Sequence, residues 1–195
     1  MYSYCERTAQ GILSEPLNSI TNLAFIIISI LILKRYRGEK YSVIFSSLIG
    51  LIGIGSFLFH TIPTTMTGFL DITFIFLFIL FYLFIINNSI FNLSKIVSLV
   101  LTLVSPVIYF YLGNELRGSI GFLGDSSFYI IIFIHLFIIY LFVLKEKIEG
   151  RSYILLANII FAISIFFRAM DNHICNINYY GTHFVWHILN SLVLY

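Results

Sequence analysis

Charge is what this sequence has least of. Asp, Glu, Lys and Arg make up only 10% of its 195 residues, while 59% are hydrophobic and the mean hydropathy is +0.99. An ordinary soluble domain carries about 25% charged residues. A chain this small could not bury so much apolar surface in a soluble core, so lipid must cover much of it. The net charge of +2 is too small to mark a nucleic-acid surface. The basic residues also sit in short clusters between apolar runs, as membrane topology requires. No Gly/Ser-rich linker or low-complexity tract is present, so residues 1–195 read as one domain. The first fifteen residues lack the basic start and apolar stretch of a signal peptide and instead carry Glu6, Arg7 and Glu15. The first apolar run is therefore expected to stay in the protein as a helix.

Seven apolar runs follow, near Leu17–Leu33, Val43–Phe59, Phe69–Ile86, Ile96–Leu112, Phe128–Leu144, Tyr153–Phe167 and His183–Tyr195. A spanning helix needs about 20 mostly apolar residues. The runs are apolar almost throughout, which predicts spans rather than surface helices. The expected fold is an all-α, seven-transmembrane helix bundle. Pro106 is expected to kink the fourth span. The seventh run reaches only about 20 Å, so it is expected to begin earlier, near Tyr179, or to continue beyond Tyr195. Lys34, Arg35, Arg37, Lys40, Lys95, Lys145, Lys147 and Arg151 fall on one side of the membrane; Arg7, Arg117 and Arg168 fall on the other. The richer side faces the cytoplasm. The N-terminus is then outside and the C-terminus inside.

Polar residues are expensive inside a bilayer, and a few stand out. Ser56 and His60 end the second run four residues apart, on one helix face. Asp71 opens the third run. His183 and His187, again four apart, open the seventh. The topology brings His60, Asp71, His183 and His187 to similar depth on the outer side, with Ser56 one turn along from His60. Three His with an open position is a catalytic zinc arrangement. Zinc so held lowers the pKa of its bound water to about 7. A carboxylate such as Asp71 can move the proton, and a hydroxyl such as Ser56 can stabilise an oxyanion. The plainer reading of any single membrane histidine is a hydrogen bond between helices. Convergence from three helices favours the metal site.

Other features carry less chemistry. His135, mid-span in the fifth run, suits a packing or cavity role because its depth does not match the others. Asn158 is expected to bond a neighbouring helix. Gly118, Gly121 and Gly124 read as turn chemistry, not a phosphate cradle, since no strand precedes them. The Tyr and Phe residues are read as lipid-facing or interfacial. Cys5 and Cys175 both fall outside, where an oxidising setting permits a disulfide; two unpaired thiols is the other reading.

Together these motifs resemble the alkaline ceramidase family, within a wider group of seven-span membrane hydrolases that includes adiponectin-receptor-like proteins. The resemblance runs through Tyr4-Cys5-Glu6, Glu15-Pro16-Leu17-Asn18-Ser19, Thr21-Asn22-Leu23-Ala24-Phe25 and Gly55-Ser56-Phe57-Leu58-Phe59-His60. It continues through Asp71, Arg168 to Asp171 and Cys175, and Gly181-Thr182-His183-Phe184-Val185-Trp186-His187. It implies that His60, His183 and His187 hold zinc, that Asp71 shuttles protons and that Ser56 stabilises the oxyanion. It also implies a disulfide between Cys5 and Cys175. Eukaryotic members carry an acidic N-terminal calcium loop, of which Glu6 and Glu15 remain here. Ser3 and Thr8 replace an Asp and an Asn, leaving a poorer site for a cation that wants roughly six to eight oxygens.

The implied activity is zinc-dependent hydrolysis of a ceramide-like N-acyl amide within the membrane, giving a fatty acid and a long-chain amine. An ester-directed lipase would use the same groups. A lipid receptor or transporter would instead close its metal with a fourth protein ligand. The richness in Ile, Phe and Asn suggests an AT-rich, bacterial genome, hence a plasma-membrane protein with its site toward the outer face. On this reading His60→Ala or His187→Ala abolishes turnover of a lipid amide while the protein stays folded. Retained activity in either variant would contradict the three-histidine assignment.

Overall fold

The computed structural model describes residues 4–8 and 11–195, so Ser3 lies outside the described residues. Eight α-helices follow in order: α1 (Pro16–Thr21), α2 (Leu23–Arg35), α3 (Ser42–Thr61), α4 (Thr65–Ile85), α5 (Lys95–Ser119), α6 (Ser127–Lys145), α7 (Arg151–Met170) and α8 (His183–Val193). A π-helical turn, Ile86–Ile90, ends α4. Short 3₁₀ turns, Gly121–Ser126 and Asp171–His173, join α5 to α6 and extend α7. No strand occurs among the described residues. Local signals set several starts. Pro16 opens α1 with its fixed φ. Thr64 and Thr67 cap α4 reciprocally, hydroxyl to backbone N–H, at 2.9 and 3.1 Å.

Six stretches are long and apolar enough to cross a membrane: Pro16–Arg35, Ser42–Thr61, Thr65–Ile90, Lys95–Ser119, Ser126–Lys145 and Arg151–His173. In Thr65–Ile90 only 11% of the most apolar window is buried within the protein, and Phe69, Ile72, Phe76 and Leu77 are exposed. Lipid must supply the missing cover. The protein is thus a polytopic, all-helical membrane protein.

The seventh run departs from expectation. It forms α8, a helix of 11 residues, about 16 Å long against a core of about 30 Å, and is not among the six stretches above. Nor does it begin near Tyr179. Asn178 accepts the Tyr180 N–H at 3.2 Å and donates to the Gly181 carbonyl at 3.3 Å. Gly181 then takes a left-handed φ of +66°. That turn ends only at Thr182, so α8 starts at His183.

Small residues let α3 sit close between α2 and α4. A Cβ at Gly53 would lie 2.9 Å from the Phe25 Cβ and 3.2 Å from the Asn22 carbonyl. One at Gly55 would lie 2.8 Å from the Phe74 ring. Ser29 and Ser46 clasp α2 to α3, each hydroxyl donating to the other's carbonyl at 2.7 and 2.8 Å. Helix α5 runs continuously through Pro106. The proline removes the N–H that would reach the Thr102 carbonyl, and the Ser105 hydroxyl donates to that carbonyl instead, at 2.8 Å. Asn158 bonds its own helix, donating to the Ile154 carbonyl at 2.9 Å, rather than a neighbouring one. A carbonyl one turn back lies within reach of any helical Asn, which sequence position alone does not reveal.

Helix direction gathers the chemistry at one end. The end of α3, the start of α4, the end of α7 and the starts of α1 and α8 lie together, with α8 packed on α7, α2 and α1. Gly53→Ala should lower stability by about 1–3 kcal/mol through overpacking. Gly118→Ala, on α5 with open space around it, should be neutral or slightly stabilising. Thermal unfolding of both variants in detergent checks the contrast.

Candidate functional site

His60 ends α3 fully buried, and Glu15, the residue before α1, meets it from the side. One Glu15 oxygen bonds the His60 Nδ1 and also accepts from the Asn18 amide at 2.9 Å. The other pairs with the Arg7 guanidinium, which lies over the Phe59 ring. Burial opposes ionisation of Glu15, but the bonds from His60 and Asn18 and the Arg7 charge outweigh it and hold the carboxyl below its ordinary value. His187, one turn into α8, faces the Thr21 hydroxyl through its Nδ1 at 3.0 Å. His183 is buried beside it under Tyr4, whose ring stacks on the imidazole at 3.9 Å. Burial raises the Tyr4 phenol well above its usual range, so it stays protonated.

The three imidazoles converge. Their centroids lie 4.6 to 5.2 Å apart, and one ring nitrogen from each falls within 4.8 Å of the others. His60 Nε2 and His183 Nδ1 are buried with no hydrogen-bond partner. Buried polar atoms are normally satisfied. Orphaned imidazole nitrogens in so close a cluster, with Nδ1 of His60 and of His187 held by Glu15 and Thr21, suit a metal ion. The three residues could hold one.

Ser56 and Asp71 line the same cavity of about 490 Å³ as His183 and His187, with the Ser56 hydroxyl beside the Asp71 carboxyl. The cavity runs inward to apolar walls at Ile75, Ile79 and Ile132. A second cavity, about 550 Å³, shares Ile79, Tyr109, Tyr129 and Ile132 with it. His135 lines this second cavity, bonded to the Tyr109 hydroxyl and away from the other histidines.

The N-terminal segment is tied over the site. Cys5 and Cys175 sulfurs stand 2.00 Å apart, bonded as a disulfide. Asp171 accepts the backbone N–H groups of Cys5, Thr182 and His183 at 3.1, 2.7 and 2.9 Å. Gly181 is required beside it, since a Cβ there would lie 2.0 Å from an Asp171 oxygen. Glu6 accepts the N–H groups of Leu17 and Asn18 at 2.6 and 2.8 Å, capping α1. Both expected calcium carboxylates are thus engaged by protein donors, and Thr8 is exposed. A calcium site wanting roughly six to eight oxygens does not fit these described residues.

The sequence motifs span the whole chain, and so does the match. The family model described as Ceramidase covers residues 2–195. The chain belongs to the ceramidase family. No curated protein and no solved structure matches it. As a ceramidase-family protein it is a membrane-embedded hydrolase acting on a lipid amide. Sequence reasoning gave no role to Tyr4 or Thr21 and did not see Asp171 as a joint. The motif positions of Tyr4, Thr21 and Asp171 were the available signal; their partners, His183 for Tyr4, His187 for Thr21, and Cys5 and Thr182 for Asp171, were not. Asp171→Ala leaves three N–H groups without their carboxylate and should cost about 3 kcal/mol or more, read as a fall in the thermal midpoint in detergent.

Proposed function

We propose that this ceramidase-family protein is a zinc-dependent amidase that cleaves the N-acyl bond of a membrane lipid to a fatty acid and a long-chain amine. The observation that carries the reading is the cluster of three buried imidazoles, two with orphaned nitrogens, of which His183 and His187 line the polar end of an apolar cavity. Three imidazoles with a carboxylate nearby suit zinc best among common ions. Bound there, zinc would supply Lewis acidity, polarising the carbonyl and making water a better nucleophile at neutral pH.

The chain's own residues would do the rest. His60, His183 and His187 are the ligands, and Glu15 and Thr21 fix the orientation of His60 and His187 from behind. Asp71 takes a proton from the attacking water and gives one to the leaving amine. Ser56 donates a hydrogen bond to the carbonyl oxygen as it gains charge. Tyr4, stacked on His183, screens the site from bulk water. The acyl chain lies along the isoleucine walls.

We also infer that the site faces outward in a plasma membrane. The lysines and arginines after α2 and α6 lie at the opposite end of the bundle, and a disulfide suits an oxidising side.

Asp71→Asn should lower kcat by about 10²–10⁴ and Ser56→Ala by about 10², with zinc content unchanged. Hydrolysis of a fluorescent N-acyl lipid in detergent, beside elemental mass spectrometry, reads both. Glu15→Gln should weaken zinc retention against a chelator by about 10–100-fold. Full activity in Asp71→Asn would contradict the proton role.

A further inference from the structure

Arg168, near the end of α7, has no place in the chemistry above, yet it lines the cavity with His183, His187, Asp71 and Ser56. Its surroundings are unusual for a cation among membrane helices. Such a charge is normally paired, but no carboxylate lies within ion-pair distance of Arg168 among the described residues. Asp125 and Asp71 are the acids whose charge reaches it. Asp125 is engaged by Arg117 at 2.8 Å, and Asp71 has the Ser56 hydroxyl beside it. Of the five guanidinium N–H donors, one is engaged among the described residues, by the Ser126 hydroxyl at 2.9 Å. The plane is held over Tyr129 and Trp186, 4.8 and 5.6 Å from the ring centroids. The guanidinium is therefore oriented and lacks a close counter-anion, beside the reacting end of the cavity.

We propose that Arg168 binds an anionic oxyacid group, carboxylate or phosphate, on the amine half of the lipid. The inference rests on the amidase reading for where the scissile bond lies. With the acyl chain along the isoleucine walls, the group beyond the amide nitrogen faces the polar end, where Arg168 stands. Guanidinium binds carboxylate and phosphate through two parallel hydrogen bonds. The substrate class is thus an N-acylated long-chain amine that bears a carboxylate or a phosphate, of which short anionic amides are truncated probes. In the reaction, water adds across the amide: its oxygen joins the acyl carbon, the C–N bond breaks, and the nitrogen leaves with the proton. The products are a fatty acid and a free amine that keeps its anionic group.

The test compares N-dodecanoyl glycine, N-dodecanoyl glycinamide, N-dodecanoyl ethanolamine and its phosphate ester on wild type, Arg168→Gln and Arg168→Lys. In the wild type, kcat/KM for at least one anionic amide should exceed that of its neutral partner by about tenfold, the size of one charge-assisted pair. The two pairs separate carboxylate from phosphate. That ratio should collapse in Arg168→Gln and survive in part in Arg168→Lys. Binding of dodecyl phosphate and of dodecanol, measured by calorimetry in neutral detergent before and after chelator treatment, gives a readout free of turnover and of metal. The phosphate should bind more tightly than the alcohol after chelation, and Arg168→Gln should lose about tenfold. Equal binding of phosphate and alcohol by the chelated wild type would overturn the proposal, whether or not Arg168→Gln folds. Selective phosphate binding without cleavage of any amide would uphold the anion site and contradict the amidase.

Discussion

The Glu15 carboxylate is a fully buried charge at the head of a membrane bundle, and the site is built around satisfying it. A buried carboxylate is costly unless its oxygens are occupied by good donors. Here one oxygen meets Arg7, and the other meets His60 and Asn18. Those contacts join the N-terminal segment, α1 and the end of α3. The bond to Nδ1 also fixes which edge of His60 remains to face the other two imidazoles. Asp171 repeats the device on the far side, gathering the backbones of Cys5 and of the α8 start. Two buried carboxylates thus set the positions of the helices that carry the histidines.

The rest of the bundle follows from lipid as solvent. With so little charge, the helices hold together by close approach at small residues, as at Gly53 and Gly55, and by hydroxyl clasps such as Ser29 with Ser46. The cavity that holds the site is polar where Ser56, Asp71, His183 and His187 line it and apolar at Ile75, Ile79 and Ile132. A hydrophobic chain can lie inward while an amide meets the imidazoles, Asp71 and Ser56. That polarity suits hydrolysis of an amphiphile held partly within the protein.

Much of this was legible in the sequence. The helical spans and the expectation that His60, Asp71, His183 and His187 share one depth, with Ser56 a turn away, follow from apolar run length, basic loop residues and four-residue spacing. The Arg7–Glu15–His60 chain was not legible, because it depends on how Arg7 and Glu15 are brought to the end of α3, which periodicity does not encode. The same limit applies to α8. Its apolar run looks like a shortened span, but the Asn178–Gly181 turn decides where the helix starts. Asn158 and Pro106 show the complementary case, in which local backbone geometry offers a hydrogen-bond partner before any neighbouring helix does.

X-ray absorption at the zinc edge, on protein purified in detergent, tests the central claim most directly. The account predicts about one zinc per chain with three imidazole nitrogens and one oxygen at about 2.0–2.2 Å. A closed set of four protein ligands, sulfur at the metal, or no zinc in folded protein would contradict it.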